Sequence, residues 1–524
     1  MKKVAALACL AMFASACGGG TAQAPSGRPV AGGTFTYAIS ADPGVLDPAT
    51  AVLSVTNTVL GFAYDTLVST DREGRTVPGL AEKWEVKPDS VTFTLRKDIT
   101  CSDGSKLTAA DVAQNVNHIA DPATKSPVYG VLLPPGMKAT SDDAAGTVTF
   151  STDKPFAFIL QSARDLYIVC GKAVKDRSLI ARATSGSGPY VLSESMPSDH
   201  YTFTRRKDYK WAPGGASTEG MPDKVVLKIV PNEQTSANLL ISGGLNAAVF
   251  YGADRTRLEA TPGLLKKTPM AGNGQFFYHQ GEDRPTKDPA VRKALTQALN
   301  LKELAGIASS GTGRPATGLV MEPRPCKGDT VTGHVPAFDA AAAAAGLEAA
   351  GWKPGPDGIR VKDGKRLTLR YLYGTTRGAG VQAAAEYVAA AWKSAGAEVK
   401  LNGVLDTKMS ESLNATQDWD VVWLPIGVFL PSQLEGFLSG PAAPKGANFA
   451  HLDNARYSEL IAQAKLKPGE EGCKLWLEAE TALFGNSDLV PVTENTVLVA
   501  GKGATFDLVA TVLIPTSIRL TEGG

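Results

Sequence analysis

The sequence predicts an α/β protein of several domains, and two features of its texture carry that prediction. From residue 33 to about residue 230, short alternating apolar and polar segments are separated by Gly, Pro and Asp turns, as in β-rich structure. From about residue 289 onwards, strands alternate with amphipathic helices, which is the pattern of an α/β lobe. The chain of 524 residues is long enough for roughly three domains.

The β-rich part begins with a strand and contains one strong helix signal. Residues 33–39 alternate as in a half-buried strand, and the Pro-punctuated turn 41–48 follows. Thr108 and Asp111 have the spacing of a capping box, which predicts a helix that begins after Thr108 and runs to Ile119. Further elements are expected as strands at 190–191, 201–204 and 224–230 and as helices at 55–67 and 233–242.

The pattern of apolar residues in the C-terminal half predicts longer helices that lie between strands. Apolar residues recur at helical spacing from Val291 to Leu299 and predict one amphipathic helix over 289–309. Further helices are expected at 338–350 and 379–394, with strands at 366–372, 398–401 and 420–423.

The N-terminus has the pattern of an export signal. Two lysines precede an apolar run that ends at Ala16 and is too short to span a bilayer. Residues 14–17, Ala-Ser-Ala-Cys, resemble a bacterial lipoprotein box, although that motif usually begins with a larger aliphatic residue. We therefore expect a signal peptide over 1–16, lipidation of Cys17 and a flexible Gly/Ala/Ser/Pro-rich tether over 17–31 that holds the protein at the outer face of the cell membrane. The alternative is an ordinary cleaved leader that leaves Cys17 free.

The remaining cysteines agree with an exported protein. Cys101, Cys170, Cys326 and Cys473 form an even set, which in an oxidising compartment favours disulfides and allows three connectivities. Pairing by neighbourhood joins Cys101 to Cys170 and Cys326 to Cys473. The sequence contains no clustered ligand pair such as CxxC, so it does not indicate a metal site.

Charge and motifs argue against several classes of function. The net charge of +1 gives no bulk attraction for nucleic acid. The sequence has no GxSxG elbow, no HExxH pair and no Walker loop, and its five histidines are scattered without ligand spacing. We therefore predict no enzyme activity and no cofactor, with a secreted hydrolase using distant carboxylates as the alternative.

An ordered series of segments covers nearly the whole exported chain, and its order is more specific than any single member. The segments are 80–84, 92–96, 102–112, 186–190, 206–211, 288–299, 348–352 and 455–460. Together they resemble the dipeptide, oligopeptide and nickel class of bacterial extracellular solute-binding proteins.

The resemblance implies a monomeric two-lobed clamp of the periplasmic-binding-protein type, with an extra β-rich subdomain, that feeds a captured solute to an ABC importer. A sensory or adhesive surface protein on the same fold is a further alternative. Two crossing strands, near 274–279 and 489–493, would form the hinge. The implied division is lobe I over 32–68, 184–273 and 493–524, the subdomain over 69–183, and lobe II over 274–492.

A mechanism follows from two rigid lobes joined by two crossings. A solute that touches both lobes binds the closed form better than the open form, and only that difference in affinity shifts the population. An extended peptide would bind through its main chain, with side chains in hydrated pockets.

Three strand ends supply candidate ligand contacts, each with a structural alternative. Asp42, Leu46 and Asp47 follow the first strand, where an Asx turn is the alternative. Tyr251 lies in the segment 250–252, which follows the strand at 245–249, and a role in the core is the alternative. The third set follows the apolar strand at 421–422. Its alternative is that the segment is part of a buried strand, which has the same apolar pattern. The set comprises Trp423, Leu424, Pro425, Ile426, Gly427 and Phe429. Phe276 and Tyr278 are expected to line the floor beside the hinge.

The third set departs from the family pattern. Peptide-binding relatives usually place an aspartate just beyond this strand, where it pairs with the α-ammonium of the peptide. Residues 424–430 contain no acid. Either Asp47 or Glu494 replaces that aspartate, or the solute has no ammonium, because an unpaired buried ammonium costs several kcal/mol. We therefore expect weak binding of ordinary short peptides and tighter binding of a blocked, cyclic or modified peptide, or of another polar oligomeric metabolite.

Overall fold

A computed structural model describes residues 27–51, 54–71, 74–130, 132–252, 254–375 and 379–522. Two large sheets and one smaller sheet organise the chain, and each has its own hydrophobic core. This architecture confirms the predicted α/β clamp with a β-rich subdomain. The α-helices are Ser54–Ala63, Ala109–Ala120, Ile159–Ser162, Glu233–Ser242, Asp254–Ala260, Pro289–Gln297, Leu301–Ala308, Ala340–Ala349, Ala379–Ser394, Asp406–Glu411, Glu435–Leu438, Ala455–Ala464 and Gly469–Gly485.

Lobe I is built on a seven-stranded mixed sheet. Its first strand, Thr34–Ile39, alternates as expected and pairs in parallel with strands on both sides. Phe35 and Tyr37 are buried in the core on one face, and Ala38 belongs to a second core on the other face. In spatial order the strands are Leu265–Lys267, Leu498–Gly501, Ala247–Phe250, Thr34–Ile39, Lys224–Ile229, His200–Arg205 and Tyr190–Met196.

The subdomain is a four-stranded antiparallel sheet covered by the helix Ala109–Ala120. Thr108 begins that helix with the predicted capping box, because its side chain accepts from the Asp111 N–H while Asp111 accepts from the Thr108 N–H. The strands, in spatial order, are Ala81–Lys87, Ser90–Leu95, Thr147–Ser151 and Lys138–Asp142.

Lobe II is built on a six-stranded mixed sheet with a core on each face. Trp392, on the helix Ala379–Ser394, is fully buried against one face and donates to the Leu295 carbonyl at 2.8 Å. In spatial order the strands are Arg314–Pro315, Leu489–Thr496, Met270–Tyr278, Val421–Trp423, Thr368–Gly374 and Glu398–Val404.

Short strands form further small sheets of two or three strands. The three-stranded sheets consist of Pro29–Val30, Arg519–Thr521 and Ala504–Thr505, and of Lys353–Pro354, Arg360–Lys362 and Lys365–Arg366. The two-stranded sheets consist of Val68–Thr70 with Thr76–Pro78, and of Leu508–Val509 with Val512–Leu513.

The helix expected over 289–309 is two helices. Pro289–Gln297 ends at Ala298, and Asn300 begins the next helix, Leu301–Ala308, by accepting a hydrogen bond from the Glu303 N–H. Apolar periodicity continues across this break because both helices pack on the same core. The prediction of one helix was wrong because the capping ability of Asn300 was overlooked.

Both disulfides join the neighbouring cysteines. Cys101 pairs with Cys170 at a Cα–Cα distance of 5.9 Å, within the subdomain, and Cys326 pairs with Cys473 at 5.0 Å, within lobe II. The predicted signal peptide and Cys17 lie outside the described residues. None of the helices in the described part of the chain has the length and apolar character that a membrane crossing requires.

Candidate interlobe binding site

Strand directions show which edges of the two large sheets face each other. In lobe I, Leu265–Lys267 and Ala247–Phe250 are both antiparallel to Leu498–Gly501, so the carboxyl ends of these two strands share one edge with that of Thr34–Ile39. In lobe II, Met270–Tyr278 is antiparallel to Val421–Trp423, so residue 270 lies at the carboxyl end of the latter. The chain passes between these two edges.

Two crossings connect the edges. One crossing is residues 268–269, between Leu265–Lys267 and Met270–Tyr278, and the other is Val497, between Leu489–Thr496 and Leu498–Gly501. Both crossings lie a few residues nearer to lobe I than the expected hinge at 274–279 and 489–493. The two long strands at the expected positions pair with each other inside the lobe II sheet. The carboxyl ends of the parallel strands of both lobes therefore point toward this hinge, and clefts of α/β proteins lie at such ends.

The loop after the first lobe I strand is held by its own acids. Asp42 accepts from the Ser198 N–H at 2.7 Å and from the Tyr201 hydroxyl at 3.1 Å. Leu46 is fully buried. Asp47 caps a 3-10 turn through the Ala49 N–H at 2.9 Å and pairs with Arg177 at 3.0 Å. This arrangement is the Asx turn that was expected as the alternative to a ligand contact.

Tyr251 differs from these residues because its ring is 68% exposed. The Glu233 carboxylate holds the turn by accepting from the Tyr251 and Gly252 N–H groups at 3.1 and 2.9 Å. Surrounding protein nevertheless raises the pKa of the Tyr251 hydroxyl by burial, with Glu233 as a second cause. The exposed ring at the end of the strand Ala247–Phe250 offers an aromatic surface to a solute.

On the lobe II side, the Trp423 side chain is buried in the core and is not part of the exposed surface. The residue is 2% exposed and shares a hydrophobic cluster with Phe276 and Tyr278, which are both fully buried. A Cβ atom at Gly274 would lie 2.7 Å from the Trp423 ring, so this close packing depends on the glycine. Phe276 and Tyr278 thus support the strand from behind and are not exposed in this structure.

The segment after Trp423 is a fixed loop at the lobe edge. Leu424 donates to the Gln275 carbonyl at 3.1 Å, and Val428 accepts from the Met321 N–H at 2.8 Å. Gly427 is exposed, Ile426 is buried, and Leu424, Pro425 and Phe429 are partly exposed. This loop presents backbone and apolar groups without a carboxylate.

Glu494, one of the two acids suggested as a replacement for the family aspartate, lies at the hinge and is 1% exposed. Its carboxylate accepts from the Thr317 N–H at 3.1 Å and from the Thr317 hydroxyl at 2.6 Å, and it pairs with Arg314. The Arg314 side chain is 60% exposed. Sequence reasoning missed Arg314 and Thr317 because the strand Arg314–Pro315 and the loop after it have no motif. The pairing of Arg314 with Glu494 across neighbouring strands brings this segment to the hinge.

A cavity of about 780 Å³ lies elsewhere, between lobe I and the subdomain. Its lining includes Tyr64, Tyr167, Asp65 and Arg519. The Asp65 carboxylate accepts from the Trp211 Nε1 at 2.9 Å, and Arg519 donates to the Ser217 carbonyl at 2.8 Å. These groups are used by the scaffold, so we place the candidate site at the interlobe edges. The described residues contain no cluster of three or more His, Cys, Asp or Glu side chains arranged for a metal ion.

Comparison with known proteins decides the family. Residues 75–447 match the model for bacterial extracellular solute-binding proteins, family 5 (middle). The chain belongs to this family. The match covers more than half of the chain and spans parts of the subdomain and of both lobes.

Individual relatives agree with this assignment. Protein XP55 of Streptomyces lividans is 28% identical over 409 residues, covering 77% of this chain and 72% of that protein. The periplasmic murein peptide-binding protein MppA of Escherichia coli is 25% identical, covering 95% and 94%. The crystal structure of a substrate-binding protein from Microbacterium hydrocarbonoxydans, complexed with 4-hydroxybenzoate hydrazide, has a TM-score of 0.73 and 26% identity, covering 93% of this chain and all of that chain.

Proposed function

We propose that this family 5 protein captures a peptide or peptide-like solute between its two lobes and delivers it, chemically unchanged, to an ABC importer. The observation that carries the proposal is the pair of facing strand-end edges, joined by two crossings, in a member of this family. A relative that covers nearly the whole chain is named for binding murein peptides. The proposal includes a monomer, anchored outside the cell membrane through a lipidated Cys17.

We also propose that the lobes divide as the resemblance implied, with the turning points placed at 268–269 and 497. The strand Leu489–Thr496 pairs within the lobe II sheet along most of its length, so rotation about residue 493 would break that pairing. Residues 268–269 and 497 lie between the two large sheets and take part in the strand pairing of neither sheet. Rotation there costs less because it disturbs fewer hydrogen bonds.

The charges at the interlobe edges favour a solute without a free α-ammonium group. Acids on the loops and strands of these edges already accept hydrogen bonds from the protein; they include Asp42, Asp47, Glu233 and Glu494. An incoming ammonium would have to compete with those donors or remain unpaired in a desolvated cleft. The Microbacterium protein of similar fold binds an aromatic hydrazide, which also has no α-ammonium.

Within the cleft, we propose that Tyr251 supplies an aromatic platform from lobe I and that residues 424–429 supply backbone and apolar contacts from lobe II. Trp423, Phe276, Tyr278 and Leu46 would support these contacts from the core, while Asp42 and Asp47 shape the opposing loop. Main-chain recognition of this kind tolerates different side chains, so selectivity would be broad for peptide-like solutes.

Calorimetry with trialanine and N-acetyl-trialanine tests the charge argument. We expect the acetylated peptide to bind about tenfold tighter or more, because it brings no ammonium into the cleft. A strong preference for the free amine would refute this proposal.

A variant provides a sharper form of the same test. Gly427→Asp introduces a carboxylate on the exposed position of the loop, where a Cβ would meet only the flexible Met321 sulfur at 3.0 Å. We expect this variant to gain affinity for free trialanine, whereas Gly427→Asn, which has the same shape without the charge, should not. Equal effects of the two variants would show that charge does not decide selectivity.

A further inference from the structure

The subdomain contacts lobe II as well as lobe I, through residues 156–164, which we name the latch segment. Phe158 of this segment is 5% exposed and belongs to the lobe II cluster that contains Trp419 and Phe449. Its ring centroid lies 5.9 Å from that of Trp476, on the helix Gly469–Gly485. A subdomain side chain is thus buried in the core of the opposite lobe.

Two other contacts accompany Phe158. The Ala157 N–H donates to the Lys465 carbonyl at 3.0 Å, which joins the backbones of the two bodies. At the other end of the segment, the Arg164 guanidinium lies 5.7 Å from the centroid of the Phe429 ring, on the loop that follows Trp423. The latch segment therefore reaches the same loop that we place in the binding site.

The subdomain is joined to lobe I by shared apolar clusters and by polar contacts. Arg177 pairs with Asp47 at 3.0 Å, and Arg206 donates to the Thr100 carbonyl at 2.9 Å. The Ile168 N–H donates to the Asp65 carbonyl at 3.0 Å. In a rotation about the two crossings, these ties would carry the subdomain with lobe I, and the rotation would withdraw Phe158 from lobe II.

We propose that the latch segment stabilises the closed clamp independently of the solute. This inference rests on the proposed clamp function. Burial of the Phe158 ring in the lobe II cluster favours the closed form whether or not the cleft is occupied, since this burial is within the protein and needs no solute. The solute then acts on an equilibrium that is already displaced toward closure, and its own contribution to the population shift is correspondingly smaller.

Distance measurements on the full chain test the latch. Fluorescent labels at Lys224→Cys in lobe I and Lys400→Cys in lobe II, both exposed positions, report the separation of the lobes in single molecules. Without solute, we expect Phe158→Ala to lower the ratio of closed to open molecules about tenfold or more, because removal of a buried Phe ring has effects of this size. Saturation with N-acetyl-trialanine should return the variant to the closed distance.

A matched control separates the latch from general damage to lobe II. Phe437→Ala removes a partly buried ring from the same cluster, where it contacts Phe449 within lobe II, and should leave the distance distribution unchanged. If Phe158→Ala does not fold, Phe158→Leu keeps apolar volume, loses the ring contact with Trp476 and should give a smaller shift in the same direction.

The outcomes distinguish the latch from the clamp. Identical distance distributions of wild type and Phe158 variants without solute would overturn the latch. If calorimetry detects peptide binding but neither protein changes distance, the proposed clamp function fails, and the comparison without solute still decides the latch.

Discussion

The two boundaries of the subdomain differ in chemistry. Toward lobe I, the boundary combines shared apolar clusters with charged and hydrogen-bonded pairs, such as Arg206 with Thr100 and Arg177 with Asp47. Toward lobe II, the boundary is mainly aromatic and centres on Phe158 and Trp476.

Directional bonds fix one geometry and leave unsatisfied groups when broken, whereas apolar contacts can separate and form again. The difference indicates a permanent joint on one side and a releasable contact on the other.

The largest expected effect comes from breaking the permanent joint. The Arg206 side chain is 5% exposed, donates to the Thr100 carbonyl and hydroxyl at 2.9 and 2.7 Å, and stacks on Trp211 at 5.4 Å. We expect Arg206→Met to lower the free energy of unfolding by about 3 kcal/mol, because the Thr100 groups lose their partner.

Urea denaturation followed by circular dichroism measures the loss. The neighbouring Lys207→Met removes the same charge from an exposed position and should change stability little. Equal losses in the two variants would mean that net charge, and not the joint, is responsible.

Acid should weaken the lobe II core that receives Phe158. His279 is 2% exposed, and its ring centroid lies 4.7 Å from those of Trp419 and His451. Burial, with His451 and Arg370 as further causes, lowers the pKa of His279 to about 4. Because the unfolded histidine titrates near pH 6.5, the stability due to this group is present above that pH and is lost as the pH falls toward 4.

Between pH 7.5 and pH 5 the loss amounts to about 2 kcal/mol. Denaturation at both pH values, compared with His279→Gln, isolates this contribution from the titration of other groups. The variant should lose less stability than the wild type over the same interval. Equal pH dependence of the two proteins would contradict the assignment to His279.

The smallest expected effect lies at the rim of the releasable contact. Arg164→Met removes the charge over the Phe429 ring while keeping an apolar side chain of similar length. Since cation–π contacts contribute about 1 kcal/mol, the ratio of closed to open molecules without solute should fall about fivefold. The labelled pair described above measures it, and an unchanged or increased closed fraction would show that Arg164 does not support the contact.

The sequence predicted the elements whose signals are local. The capping box at Thr108 and Asp111, the alternation of 33–39 and the helix at 379–394 depend on neighbouring residues, and the structure has all three. Pairing of cysteines by neighbourhood also matches the structure.

Features that depend on distant pairing were not predictable in the same way. Phe276 and Tyr278 are buried because the helix that carries Trp392 covers their face of the sheet. That helix lies more than 100 residues further along the chain. The roles of Arg314, Glu494 and Phe158 likewise arise from contacts across strands or bodies, for which a single sequence carries no periodic signal.

Small-angle scattering during a titration with N-acetyl-trialanine tests the central claim most directly. At peptide concentrations that calorimetry shows to be saturating, the account predicts a smaller radius of gyration than without peptide and recovery of the peptide with its mass unchanged. Binding with superimposable scattering profiles, or release of a chemically altered peptide, would contradict it.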